Sequence, residues 1–118
     1  MNSTKILLID DEEDYCLLMK NFFLTQKCEV QMAHSITDGL KLIDAYVPNI
    51  LFLDNNLPDG KGWTHVDNIL EKNPQLHIHL VSAYNPDTKN IGAINKVKIW
   101  EKPISLENLS DILFSFQQ

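Results

Sequence analysis

The sequence predicts an α/β domain built on a five-stranded parallel sheet with helices on both faces. Short apolar runs alternate five times with longer stretches whose apolar residues recur every three or four positions, the pattern of consecutive βαβ units. Turn-forming residues fall at the joints between these stretches. A chain of 118 residues, 44% apolar and 22% charged, has room for one such domain spanning residues 1–118 and enough apolar material to give it a core.

Each element has its own signal. Residues 5–9 end in Ile6-Leu7-Leu8-Ile9, a run apolar enough for a central strand. An acidic run, Asp10-Asp11-Glu12-Glu13-Asp14, then opens a helix whose N-terminal partial charge favours it, with Tyr15, Leu18, Met19 and Phe22 as its apolar stripe. Residues 29–33 read as a more peripheral strand. Ser35 with Asp38 three residues on resembles a capping box, and Ile36, Leu40, Ile43 and Val47 form the stripe behind it, stopped by Pro48. Residues 50–53 are a second central strand, followed by the tight reversal Leu57-Pro58-Asp59-Gly60. Trp63, Val66, Ile69 and Leu70 make a third stripe that ends at Asn73-Pro74. Residues 77–81 form the third central strand, with a loop at Asn85-Pro86. A short helix is expected around residues 88–95, which hold Gly92 and only Ile91 and Ile94 as anchors. Residues 98–100 are a peripheral strand. Ser105, with Glu107 behind it, starts a last helix on Leu106, Leu109, Ile112, Leu113 and Phe116, leaving Phe114 on its outer side.

Composition removes several functions. Ten Lys and Arg against sixteen Asp and Glu leave a formal charge of −6, without the basic footprint that phosphate-backbone binding needs. Direct nucleic-acid binding is not expected. No apolar run approaches the roughly 20 residues that span a bilayer, and no charged-then-apolar leader opens the chain. A cytoplasmic domain is therefore expected. Cys16 and Cys28 sit in no metal-binding or redox spacing and read as inert, reduced thiols. The four histidines include a same-face pair, His77 and His79, with no third ligand at a useful spacing, so they read as strand-flanking residues rather than metal ligands.

Ligands of open α/β sheets bind beyond the carboxyl ends of the strands, near the point where strand order reverses. The residues just past each strand supply a test. They are Asp10-Asp11 after the first, Ala33-His34 after the second, Asp54 after the third, Ser82 after the fourth and Lys102 after the fifth. Three carboxylates, a hydroxyl and an ammonium thus meet on one edge from four separate segments. Clustered carboxylates repel unless a cation joins them. Oxygen ligands without thiolate or imidazole suit Mg²⁺ or Mn²⁺. Mg²⁺ is commonly held by one or two carboxylates together with a phosphate oxygen, which points to phosphoryl chemistry with Asp54 as the candidate acceptor. The metal, Lys102 and Ser82 would offset the charge on the acyl phosphate.

These residues resemble the receiver domains of bacterial two-component response regulators. The resemblance spans essentially the whole chain and rests on four segments in order. They are Lys5 to Glu12, Ile50 to Asp54 with Leu57-Pro58-Asp59-Gly60-Lys61-Gly62, Val81-Ser82-Ala83, and Lys102-Pro103. It implies a flavodoxin-like sheet in order 2-1-3-4-5 with five helices and a switch point at the first and third strands. It implies Asp54 as phosphoacceptor and Asp11 as a direct metal ligand, with Asp10 direct or through water and Asn56 through its backbone carbonyl. Ser82 and Lys102 would pair the phosphoryl group, Ala83 would give it room, and the bond to Pro103 would be cis. Asn56 and Tyr84 occupy positions that tune the lifetime of the acyl phosphate. The family often has an aromatic three residues before the lysine. Here Ile99 stands there, with Trp100 beside it, and the segment between Ser82 and Lys102 is shorter than usual.

The implied partners are a histidine kinase or phosphotransfer protein and a downstream output protein or domain. A homodimer could form through the fourth helix, fifth strand and fifth helix. Whether the chain stands alone or belongs to a longer regulator is open. Two other functions fit the same residues: a receiver-like interaction module that is never phosphorylated, and a Mg²⁺-dependent phosphohydrolase of the haloacid-dehalogenase type. The second wants Asp-x-Asp after its first strand followed by Thr or Val, and here the run is Asp10-Asp11-Glu12.

Overall fold

The computed structural model describes residues 3–83 and 97–118. The expected short helix at residues 88–95, and Tyr84, lie outside them. Five parallel strands make one sheet: β1 (Lys5–Ile9), β2 (Glu29–Ala33), β3 (Ile50–Asp54), β4 (His77–Ser82) and β5 (Val97–Glu101). They are arranged β2-β1-β3-β4-β5, the order the family resemblance implies. Four α-helices are described: α1 (Glu13–Thr25), α2 (Ile36–Tyr46), α3 (Val66–Lys72) and α4 (Leu106–Gln117). A single 3₁₀ turn, Gly62–His65, leads into α3.

The apolar runs are central because both of their faces are covered. Ile6, Leu7, Leu8 and Ile9 are all buried, as are Ile50, Leu51, Phe52 and Leu53. Alternate residues feed two cores. Leu7, Ile9, Leu51, Leu53, Ile78 and Leu80 pack with α2 and α3, while Ile6, Leu8, Ile50, Phe52 and Val81 pack with α1 and α4. Two of the expected caps form as read: Ser35 Oγ accepts from the Asp38 amide at 3.2 Å, and Ser105 Oγ from Asn108 at 3.0 Å.

Three stripe assignments need correction. In α1 the deepest residues are Cys16, Met19 and Phe23, while Leu18 faces solvent. Met19 of the expected stripe is buried and Tyr15 and Phe22 pack half-buried on the same core, so the correction is confined to Leu18, in a run from Tyr15 to Met19 that fits more than one helical phase. Val47 does not continue α2. It is the exposed residue after the helix, in left-handed conformation with φ 53°, as the chain turns ahead of Pro48. Leu106 opens α4 but is exposed. His79 likewise is not a flanking residue but is buried in the sheet, stacked on Phe52 with ring centroids 5.2 Å apart.

Candidate functional site

The carboxyl edge of the sheet gathers the residues that the strand-end test selects. Parallel pairing of β1 with β3 sets Ile9 beside Leu53, so that Asp10 and Asp54 emerge side by side. Each is buried, at 5% and 3% exposure. Asp10, Asp11 and Asp54 each offer a carboxylate oxygen within 4.8 Å of the others, with Asp11 exposed. No thiolate or imidazole belongs to the cluster, and oxygen-only donors fit a hard divalent cation.

Lys102 completes the group from β5. Its backbone amide donates to Ser82 O at 2.8 Å, extending the β4–β5 pairing by one bond, and the Lys102–Pro103 peptide is cis. Its side chain, 8% exposed, reaches Asp10 Oδ2 at 2.7 Å, Glu12 Oε1 at 2.8 Å and Asp54 Oδ2 at 3.6 Å. The ammonium also lies 5.2 Å from the centre of the Tyr15 ring. Tyr15 is held in turn by the Ile104 amide, which donates to its hydroxyl.

Local bonds fix the carboxylates. Asp10 Oδ1 accepts from the Glu12 amide at 2.9 Å, and Asp54 Oδ1 from the Asn55 amide at 2.9 Å. His34, half-buried at the end of β2, donates from Nδ1 to Asp10 O at 2.8 Å. Burial raises the Asp54 pKa to about 6, with Asp10 adding to the shift and Lys102 opposing it. Burial raises Asp10 too, against its bond to Lys102. For Lys102 burial works against the charge, but the bonds to Asp10 and Glu12 outweigh it and the pKa rises. The site thus holds more negative charge than its one ammonium neutralises.

The loop after β3 is tightly built. Asn56 and Leu57 pair with Lys61 and Gly60 in a two-residue antiparallel ladder. A Cβ on Gly62 would lie 2.2 Å from Asp54 O, so only glycine allows the returning backbone this close to β3. Asn55 Oδ1 accepts from the Trp63 amide, and the Trp63 indole donates to Leu53 O at 3.1 Å. The Asn56 side chain is engaged by Lys61 Nζ rather than turned to the carboxylates.

Two contacts of this edge carry no signal in the sequence. Asp59, read as a turn residue, accepts from the Ile36 and Thr37 amides and the Thr37 hydroxyl at 2.8–2.9 Å, capping a helix that precedes it in the chain. The two amide bonds, Ile36 first, lower its pKa to about 2. Glu12, read as a helix-start acid, reaches Lys102 across 90 residues of sequence. No local signal marks either pairing, although a carboxylate at a tight turn is a general candidate for capping a nearby helix.

The other expected residues fall at their places. Ser82 is buried at the end of β4, and Ala83 beyond it is exposed. Ile99 packs with the α2–α3 core, whereas Trp100 turns to the other face and donates from Nε1 to His79 Nδ1 at 3.0 Å. Cys16 and Cys28 are buried free thiols. Among the described residues no helix is long and apolar enough to cross a membrane. A cavity of about 870 Å³ lies at the opposite, amino-terminal end of the sheet, between Asn49, His77, Lys98 and Phe116, and shares no residue with the acidic cluster.

Comparison with known proteins agrees with this geometry. The family model for the response regulator receiver domain matches residues 6–114, and the chain belongs to that family. Response regulator protein PilR of Pseudomonas aeruginosa is 25% identical over 115 residues, covering 96% of this chain and 26% of that one. The chain spans about a quarter to a half of the length of the curated relatives it matches. A two-component response regulator from Clostridium difficile superposes with a TM-score of 0.87 at 26% identity, covering 98% of this chain and 96% of that one. A CheY-like receiver from Methanospirillum hungatei gives 0.88 at 21% identity, with 98% and 95% covered. Asp10, Asp11, Asp54 and Lys102 thus form the acidic pocket of a signalling phosphoacceptor domain rather than the active site of a conventional enzyme.

Proposed function

We propose that Asp54 accepts a phosphoryl group from a phosphohistidine of a sensor kinase or phosphotransfer protein, and that residues 1–118 act as one receiver unit. The observation that carries this reading is a buried carboxylate at a strand end, faced by two further carboxylates and by one lysine. An Asp54 oxygen attacks phosphorus, the P–N bond to the donor imidazole breaks, and the electron pair leaves with the imidazole nitrogen, which takes a proton from solvent. With a pKa of about 6, Asp54 is mostly ionised at pH 7 and remains a nucleophile.

Asp10, Asp11, Asp54 and the Asn56 backbone carbonyl would hold Mg²⁺ or Mn²⁺, which when bound offsets charge on the transferring phosphoryl oxygens. Lys102 pairs the product from one side and the Ser82 hydroxyl from another. Ala83 leaves them space, and Pro103 follows at the cis bond. Asn56 and Tyr84 tune the lifetime of the acyl phosphate. Trp100 is committed to His79, so repacking on β5 falls to Ile99, in the core on the opposite face. The resulting surface change is read by an output protein or domain, or by a second copy of the chain, in the cytoplasm.

Intact-mass spectrometry after incubation with Mg²⁺ and acetyl phosphate or phosphoramidate tests the reading. One phosphoryl group is expected on the wild type, lost with chelator and absent from Asp54→Asn. Labelling of Asp54→Asn at the full rate would refute the assignment of Asp54. No adduct on the wild type, with no trifluoroberyllate binding, would favour a receiver-like module that works without phosphorylation.

A further inference from the structure

We propose that Glu12 is a positioning residue that holds Lys102 back from Asp54, so that their ion pair must loosen before Lys102 can reach a phosphoryl group there. The proposal rests on the reading of Asp54 as the acceptor. Glu12 occupies the residue before α1, where a side chain that bonds the first helical amides is favoured, yet its carboxylate makes no capping bond. It is directed instead to Lys102, at 2.8 Å.

The contacts form a closed ring. The Glu12 amide donates to Asp10 Oδ1, the Glu12 carboxylate accepts from Lys102 Nζ, and Lys102 Nζ donates to Asp10 Oδ2. Lys102 therefore has two short partners, while Asp54 at 3.6 Å lies beyond hydrogen-bond range. Lysine is a point charge on a flexible stem and can swing. Moving toward a phosphorylated Asp54 must lengthen one of the short contacts. Asp10 is buried and tied at both oxygens, whereas the Glu12 side chain is 58% exposed, so Glu12 is the partner that releases. An ion pair whose carboxylate is open to solvent is screened and weak. It therefore sets a rate and an affinity rather than blocking the reaction.

The test compares the whole chain as wild type, Glu12→Gln and Glu13→Gln. The last removes the same charge one residue on, from a side chain that forms no ion pair with Lys102. Phosphoryl uptake from acetyl phosphate with Mg²⁺ is followed by time-resolved intact mass, and trifluoroberyllate binding by titration. Glu12→Gln should take up the group about two- to fivefold faster, the range an exposed pair allows, and bind trifluoroberyllate tighter by a similar factor. Both gains should shrink at high salt, and Glu13→Gln should match the wild type. Equal or slower uptake by Glu12→Gln, or an equal gain in Glu13→Gln, would overturn the proposal while leaving Asp54 as the acceptor. A wild type with neither adduct nor trifluoroberyllate binding would overturn both.

Discussion

At the carboxyl edge of the sheet, Asp10, Asp54 and Lys102 are buried with their charges unbalanced, two acids to one base. On the face of the sheet beneath α4, His79 is buried to a similar depth and carries no charge. Its Nδ1 accepts a hydrogen bond from the Trp100 indole N–H, its ring stacks on Phe52, and burial, with Lys98 adding to it, lowers its pKa to about 4. The second region has settled its polar group within the fold, and the first has not. An electrostatic imbalance that the protein keeps, rather than buries as a neutral pair, marks where a ligand is to contribute.

The comparison can be broken most strongly at Lys102. Lys102→Ala leaves Asp10 and Asp54 facing each other, and removal of one partner from a buried ion cluster costs about 3 kcal/mol. Urea unfolding in chelator should show that loss at pH 7. Adding Asp54→Asn to Lys102→Ala should recover most of it. If the double variant is no more stable than Lys102→Ala, repulsion between the acids is not what the lysine offsets.

The two regions should also respond to pH in opposite senses. Asp54 binds its proton more tightly in the folded chain than at its ordinary value of 3.8, so its stabilising contribution is complete below that pH and is lost as pH rises through about 6. His79 binds its proton more weakly than its ordinary 6.5, so its contribution is present above 6.5 and lost as pH falls toward about 4. In the wild type the two slopes oppose each other between these limits. Relative to wild type in chelator, Asp54→Asn should be unchanged below pH 3.8 and more stable above pH 6, by about 3 kcal/mol. His79→Gln should gain on the wild type as the solution is acidified through the same range. Melting curves from about pH 3.5 to pH 7 read both effects, and parallel curves for all three proteins would remove the distinction.

The smallest effect sharpens the settled side. Trp100→Phe removes the donor to His79 and should cost about 1 kcal/mol. With His79→Leu added, the polar pair is replaced by apolar groups and much of that loss should return. A double variant that simply sums two losses would show that packing, not the hydrogen bond, holds this region.

Much of the fold was legible in the sequence because strand ends and apolar runs are local signals. The runs Ile6–Ile9 and Ile50–Leu53 marked two of the central strands, and the acids, hydroxyl and lysine just beyond the strands marked the site. The face of α1 was legible only in part: Tyr15, Met19 and Phe22 pack on the core, but five adjacent apolar residues satisfy several helical faces, and only the packed sheet puts Leu18 outside and Cys16 and Phe23 deepest. The roles of Asp59, Glu12 and His79 were equally hidden. Each depends on a partner 21 to 90 residues away in sequence, and short polar side chains carry no pattern that announces a distant partner.

The Asp59 clasp changes how the site responds to a ligand. With its carboxylate on the first turn of α2, its neighbours in the Asn56–Lys61 ladder, and Gly62 pressed against β3, the loop below Asp54 is ordered when the chain folds. Conformational freedom surrendered at folding is not surrendered again on binding. An ion or phosphodonor therefore meets a frame already set, and its binding free energy remains available for shifting Lys102 and repacking β5 rather than for ordering the loop.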